Sequence, residues 1–175
     1  MRLLVILLLL TSVAPASEFT GIVQRVLDGD TLAVANGEYT IRVRLYGVDA
    51  PEKTQAGGAE SAAFTEKLAL NQPAILVERA IDRYGRVVCD VMLSDGRLLN
   101  EEIVRAGHGW WYERYAPLST GLRVLESEAR AQRRGLWADL HPQAPWEWRK
   151  EEQTAPTLVS KRTRRTEART QRRAR

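Results

Sequence analysis

The sequence predicts an α+β domain in which five strands close into a small barrel and three helices pack around it. Three observations predict this. Five short runs rich in β-branched and apolar residues are separated by Gly, Asn and Asp turn signals. Three other segments have helical character, in their apolar spacing or in their capping residues. The order is three strands, a helix, two strands and two helices, with no internal repeat. Five strands with turn-rich connections fit a closed barrel of the OB-fold type.

The first strand is read over Phe19–Leu27, where apolar and β-branched residues alternate loosely, and Asp28-Gly29-Asp30 turns the chain. The second covers Thr31–Ala35 and ends at Asn36-Gly37, a strong hairpin signal. The third is the clearest. Tyr39, Ile41, Val43 and Leu45 alternate with Thr40, Arg42, Arg44 and Tyr46, which puts one set inward and both arginines on the other face. A loop spans Gly47–Gly58. Ala59–Leu70 then reads as a helix with an apolar stripe of Ala62, Ala63, Phe64, Leu68 and Ala69. A fourth strand begins at Ala74–Val77, Asp82-Arg83-Tyr84-Gly85 turns, and Val87–Leu93 is the fifth. Asn100 is a good N-cap for a short helix that Gly107 can end. A third helix is expected from Ser119 or Thr120 to about Arg134, with Leu122, Leu125 and Ala129 facing the core and Gly135 closing it. Leu136 and Trp137 are expected to dock back on the domain.

The two ends are of a different kind. Residues 1–16 read as a secretory signal: Arg2, an unbroken apolar run Leu3–Leu10, and Ala14-Pro15-Ala16 as a small-residue cleavage site. The run is shorter than the roughly 20 residues that span a bilayer. The mature chain is therefore expected to be secreted or periplasmic. Beyond residue 149 aromatic residues vanish and arginine, threonine and glutamine dominate, so residues 150–175 are expected to form a disordered basic tail. Residues 17–149 form the folded domain. They hold 16 basic and 19 acidic side chains, net −3, whereas the tail holds 9 basic and 3 acidic, net +6. The high overall pI belongs to the tail, and alone it does not show that the domain binds nucleic acid. The single cysteine, Cys89, excludes an internal disulfide and reads as a buried structural thiol.

Two histidines, no Cys/His cluster of zinc spacing and no Gly-rich phosphate loop leave acid–base chemistry mainly to carboxylates. His108 follows a helix end and His141 precedes a proline; both read as structural or solvated. The carboxylates are concentrated at Asp28, Asp30, Asp49 and Glu52, in two loops at strand ends. Hard oxygen ligands of this kind suit calcium or magnesium. The Asp28-Gly29-Asp30 turn fails the EF-hand pattern, so an ion would need ligands from both loops. Arg44 and Arg86 lie near the same loops, and a guanidinium presents paired donors that match phosphate oxygens. Taken singly, each of these is as well read as an ordinary turn or a solvated arginine.

Taken together they match a family. Asp28-Gly29-Asp30-Thr31, Arg44-Leu45-Tyr46-Gly47-Val48-Asp49-Ala50-Pro51-Glu52 and Asp82-Arg83-Tyr84-Gly85-Arg86, in that order and spacing, closely resemble the staphylococcal nuclease (thermonuclease) family. So do Asn100 through Gly107 and the stretch from Glu128 to Trp137, and the resemblance covers roughly residues 19–149. It implies an OB-type barrel with three helices and a calcium-dependent endonuclease that cleaves DNA and RNA and leaves 3′-phosphate ends. By position it implies that Asp30 and Asp49 bind the metal with the backbone carbonyl of Ala50. Glu52 would activate or orient the attacking water, and Arg44 and Arg86 would grip the phosphate. Two departures stand out. Ala50 replaces the family's common threonine, which removes any hydroxyl contact but keeps the carbonyl. The loop after Glu52, through Gly58, is unusually short and lies where the family meets substrate.

Trp110, Trp111, Tyr112 and Tyr115 form an aromatic cluster. Core packing is the better reading of the tryptophans, while Tyr112 and Tyr115 are candidates for nucleotide contact. The tail arginines could track a phosphate backbone, bind an anionic membrane surface, or do neither. The rival to an enzyme is a non-catalytic OB-type module that binds nucleic acid without cutting it. The presence of Asp30, Arg44, Asp49, Glu52 and Arg86 together favours the enzyme. No protein partner is implied.

Overall fold

The structure, a computed structural model, describes residues 17–154; residues 1–16, expected to be a secretory signal, and residues 155–175 of the expected basic tail lie outside the described residues. Strands β1 (Glu18–Asp28), β2 (Thr31–Asn36), β3 (Tyr39–Leu45), β5 (Pro73–Ile81) and β6 (Val87–Leu93) form a closed barrel in the order β1-β2-β3-β6-β5. All pairs are antiparallel except β3 with β6, which is parallel. Closure leaves no long unpaired edge and fixes the two faces of every strand. Val23, Leu32, Val34, Val43, Leu45, Leu76, Cys89 and Val91 point inward and are buried. Burial also pushes the Cys89 thiol up to about 12, so it stays protonated and inert.

Between the strands come β4 (Val48–Asp49), α1 (Gly58–Ala69), α2 (Leu99–Arg105), β7 (Trp110–Trp111), α3 (Thr120–Ala131) and a 3-10 turn (Gly135–Ala138). The segment expected to be all loop after β3 in fact begins with β4, which pairs antiparallel with β7. That two-stranded ribbon needs a partner about 60 residues away, and no local pattern announces it. A fourth helix, α4 (Pro145–Thr154), adds to the three expected and continues past residue 149. It belongs to a second compact unit that starts at His141. Its C-terminal turn is tied by the Thr154 hydroxyl, which donates to the Lys150 carbonyl at 3.0 Å. Among the described residues no helix is long and apolar enough to cross a membrane.

Four local expectations are corrected. Tyr39 sits beside the hairpin turn and is 76 % exposed, so the inward row of β3 starts at Ile41. Of the expected stripe on α1, Ala69 is buried and Phe64 and Leu68 pack on the core, but Ala63 is exposed, and the fully buried positions also include Gly58, Ser61 and Thr65. The helix lies so close to the barrel that small and hydroxyl residues fit where larger apolar ones do not. Asn100 is not an N-cap: α2 starts at Leu99, and the amide is buried. It accepts from the Val91 backbone N–H at 2.9 Å and donates to the carbonyls of Tyr46 (2.9 Å) and Cys89 (3.1 Å), sewing α2 to β6 and to the end of β3. Helix α3 ends at Ala131, three residues early, because Arg133 already takes a left-handed conformation with φ 51°. Its core contacts, Leu122, Leu125 and Ala129, are as expected.

Gly107 does end α2, at φ 75°. It has a second reason to be glycine. A Cβ there would come within 2.2 Å of the Arg134 carbonyl, so α2 and the 3-10 turn meet backbone to backbone. Leu136 N–H closes that contact on the Gly107 carbonyl at 2.9 Å. Trp137 then packs edge-on against Trp110, 4.9 Å between rings, with the Arg130 guanidinium 3.8 Å over its face.

Candidate active site

The turn between β1 and β2 carries Asp30, and the ribbon strand β4 carries Asp49; both side chains are almost wholly buried. They come together because β3 runs between them in the chain and places Arg44 on its outer face, in register with Thr31. Arg44 Nη1 donates to Asp30 Oδ1 and Nη2 to Asp49 Oδ1, each at 2.7 Å. Nη2 also reaches the Val48 carbonyl at 3.3 Å. One guanidinium thus bridges two carboxylates, one from the β1–β2 turn and one from β4.

Asp30 is held from every side. Its Oδ2 accepts the Ala50 backbone N–H at 2.8 Å, its Oδ1 accepts the Thr31 hydroxyl at 3.0 Å, and its own N–H rests on Asp28 Oδ1 at 3.1 Å. Burial raises its pKa to about 6, with the nearby Asp28 charge adding to the rise; Arg44, Ala50 and Thr31 oppose it. Arg44 is held firmly charged by Asp30 and Asp49 against the cost of its own burial.

The turn that carries Asp30 is bolted from behind by α1. The Thr65 hydroxyl donates to the Gly29 carbonyl at 2.7 Å, and the Ser61 hydroxyl to the His108 carbonyl at 2.6 Å. Gly29 leaves no room for a side chain: a Cβ would lie 2.0 Å from Ser61 Oγ and 2.7 Å from the Ala50 methyl. Ala50, Gly29 and Ser61 therefore interlock, and the small residue at position 50 belongs to that packing. Ser61, Thr65 and Asn100 were not singled out as site supports from sequence. Their only signal is a polar residue recurring on the core-facing side of a helix.

Glu52 lies two residues beyond Ala50 and is half-buried. The short loop after it is tight rather than open. Gln55 Oε1 accepts the Glu52 N–H at 3.2 Å, Gln55 N–H returns to the Glu52 carbonyl at 2.9 Å, and Gly58 N–H closes on the Gln55 carbonyl. Arg86 is not brought onto Asp30 or Asp49. Its Nε pairs with Asp82 Oδ2 at 2.7 Å inside its own turn. It precedes β6 by one residue, two positions from Val88, which is in register with Arg44. Tyr112 and Tyr115 stand with rings 4.8 Å apart and tilted, and Tyr115 is 62 % exposed. Trp110 is buried, and Trp111 packs on the core with its indole N–H on the Ala116 carbonyl at 3.0 Å, so the tryptophans are packing residues.

Among the described residues no group of three or more His, Cys, Asp or Glu side chains is arranged to hold a metal. Asp30 and Asp49 offer two. The fit to a hard cation rests on their charge: two buried carboxylates face one guanidinium, which leaves one formal negative charge, and Asp28 adds to the field. Calcium and magnesium accept just such mixed sets of carboxylate, backbone carbonyl and water oxygens. An oxygen pair with residual negative charge fits such an ion.

Residues 42–139 match the family model described as staphylococcal nuclease homologue. The chain is 42 % identical over 133 residues to an uncharacterized endonuclease of Escherichia coli, covering 76 % of this chain and 86 % of that protein. It is 38 % identical over 156 residues to a micrococcal nuclease of Shigella flexneri, covering 84 % and 90 %. It is 35 % identical over 147 residues to an uncharacterized endonuclease of Haemophilus influenzae, covering 79 % and 82 %. The barrel, the site loops and these matches agree, and the chain belongs to the staphylococcal nuclease family.

Proposed function

We propose that the protein is a secreted or periplasmic, calcium-dependent endonuclease that hydrolyses phosphodiester bonds of DNA and RNA and leaves 3′-phosphate ends. The observation that carries the reading is Arg44 bridging two buried carboxylates, from the β1–β2 turn and from β4, with Glu52 following in the loop after β4. Membership of a family whose relatives are called nucleases and endonucleases supports it.

Asp30 and Asp49, with the Ala50 carbonyl, are the residues that would hold calcium. The bound ion supplies positive charge against the phosphate and a site for water. Arg44 commits three of its five N–H donors to Asp30, Asp49 and Val48, and two remain for a phosphate oxygen. Those donors strengthen as charge builds on the phosphate under attack, because they are fixed in place beforehand by the two carboxylates. Glu52 accepts the proton of the attacking water or holds that water in line. Arg86 supplies a second guanidinium by exchanging Asp82 for phosphate. Tyr112 and Tyr115 offer faces on which a base can stack. The basic tail would add affinity for the polyanion without taking part in the chemistry.

The test is digestion of plasmid DNA and single-stranded RNA by the mature protein with calcium or chelator, beside Glu52→Ala. Cleavage that requires calcium and falls by about 100-fold or more in the variant is expected. Binding of nucleic acid without cleavage under every metal condition would replace the enzyme with a binding module.

A further inference from the structure

We infer that the outer face of β1, β2 and β3 is a track for the phosphodiester backbone of a single nucleic-acid strand, with Arg25 and Arg42 as its phosphate contacts and Arg44 at its end. The inference rests on the nuclease reading above and specifies how a long substrate is led to that site.

The register defines the track. Arg25 of β1, Ala33 of β2 and Arg42 of β3 are consecutive partners across the sheet. The next row toward the site is Asp28, Thr31 and Arg44. Arg42 and Arg44 are two residues apart on one strand, so they share a face about 7 Å apart along it. Arg25 and Arg42 flank β2 from both sides, about 10 Å apart at two strand spacings. Between them the outward positions of β2 are small, Ala33 and Ala35. The result is a row in which an exposed arginine stands on each side of a small, buried alanine. One row further from the site the flanking positions are uncharged. Gln24, the bulged residue of β1, reaches across to accept the Thr40 hydroxyl at 3.3 Å.

Charge points to the occupant. The arginines elsewhere on the barrel are mostly answered by acids: Arg79 by Asp90, Arg86 by Asp82, Arg97 by Asp95 and Glu102. Arg25 and Arg42 are exposed, and neither has an acidic partner among the described residues. In a domain of net −3 charge, two unanswered guanidinium groups on one row beside the carboxylate site form a local positive path. A face two strands wide with an exposed arginine on each side suits an extended polyanion.

The experiment compares the full mature chain with its Arg25→Gln/Arg42→Gln double variant, both in a Glu52→Gln background that limits cleavage. A fluorescein-labelled 12-nucleotide single-stranded DNA is titrated with calcium present, at several salt concentrations. Each lost phosphate contact on a single strand should reduce the salt slope of log K by about 0.7. Two lost contacts therefore shrink the affinity advantage of the arginine-bearing chain about sevenfold between 50 and 200 mM salt. The basic tail is common to both chains and cancels. Arg25→Lys/Arg42→Lys should restore most of the slope, which loss of fold would not allow, and thermal melting checks the fold directly. An unchanged slope in the glutamine variant overturns the track. So does loss of binding to phosphatidylserine vesicles with oligonucleotide binding intact, which would assign the row to a membrane surface. If the arginine-bearing chain binds no oligonucleotide and the wild type cuts none, it is the nuclease reading that fails. Cleavage by wild type with an unchanged slope in the variant fails the track alone.

Discussion

Asn100→Ala separates two accounts of one residue by magnitude. As an N-cap it would cost about 1 kcal/mol on truncation, and serine or aspartate would replace it well. The structure gives it another role, inside α2 with buried bonds to Val91 and Cys89 and a part-buried one to Tyr46. Truncation strands the Val91 N–H and the Tyr46 carbonyl; the Cys89 carbonyl keeps a bond from Tyr46 N–H at 2.8 Å. Each stranded buried group costs about 1–3 kcal/mol, so two of them should cost about 2–6 kcal/mol. That is a large share of the 5–15 kcal/mol typical of a domain. Asn100→Asp is the sharper variant, since a carboxylate keeps the acceptor for Val91 but turns a second acceptor toward two carbonyls. It should be no better than alanine. Urea denaturation followed by tryptophan fluorescence reads both. A loss near 1 kcal/mol for alanine, or full rescue by aspartate, would refute the buried-stitch account and restore the cap.

Three further outcomes follow from the same geometry. Arg44→Ala leaves Asp30 and Asp49 without their shared partner; it should cost about 3–5 kcal/mol of stability in chelator, and added calcium should recover part of it, an effect that equal melting with and without calcium would exclude. Gly107→Ala forces a side chain into a left-handed backbone and onto the Arg134 carbonyl, so a loss of about 2 kcal/mol or more is expected by urea midpoint, and a neutral result would mean the 3-10 turn yields freely. His108 stacks on Phe64 at 4.4 Å, and burial holds its imidazole below the ordinary 6.5, with Glu60 opposing. Below that value the unfolded chain takes up a proton that the native state refuses, so this contribution to stability is whole above about pH 6.5 and is lost as pH falls. His108→Gln should therefore show a shallower loss of stability between about pH 7.5 and about pH 5.5 than wild type, and parallel pH profiles would sink the assignment.

The barrel was legible because its strands are short alternating runs bounded by turn residues, and the alternation survives burial on one face. The candidate site could be named for a different reason: several motifs in fixed order resemble one family, while each alone reads as a turn. What sequence missed has one cause, contact between distant segments. The β4–β7 ribbon joins Val48 and Asp49 to Trp111 and Trp110, and neither two-residue strand has a period of its own. The face of α1 was read in part: Phe64, Leu68 and Ala69 do pack on the core, but Ala63 is exposed, and hydropathy gave no sign of the buried Ser61 and Thr65. Only the close approach of Gly29 selects the hydroxyls. Asn100 was given the commonest role of asparagine before a helix, and its buried partners lie 9, 11 and 54 residues away.

These long-range supports bear directly on the proposed chemistry. Asp30 and Asp49 repel one another, and the charge they leave after Arg44 would drive two free loops apart. Thr65 and the Gly29–Ser61–Ala50 interlock fix the first loop, and β7 fixes the second. The folding energy of helix and ribbon thereby holds two like charges at one arginine before any cation or phosphate arrives. A site preorganised in this way binds a cation without first gathering its ligands, and its affinity should depend on residues that never touch the ion. Thr65→Val keeps the volume and removes the hydroxyl. It should weaken calcium binding measured by calorimetry by more than its loss of global stability alone would produce at temperatures well below melting. If calcium affinity there is unchanged while stability falls, the hydroxyl serves the fold, and the turn holds its carboxylate without help from α1.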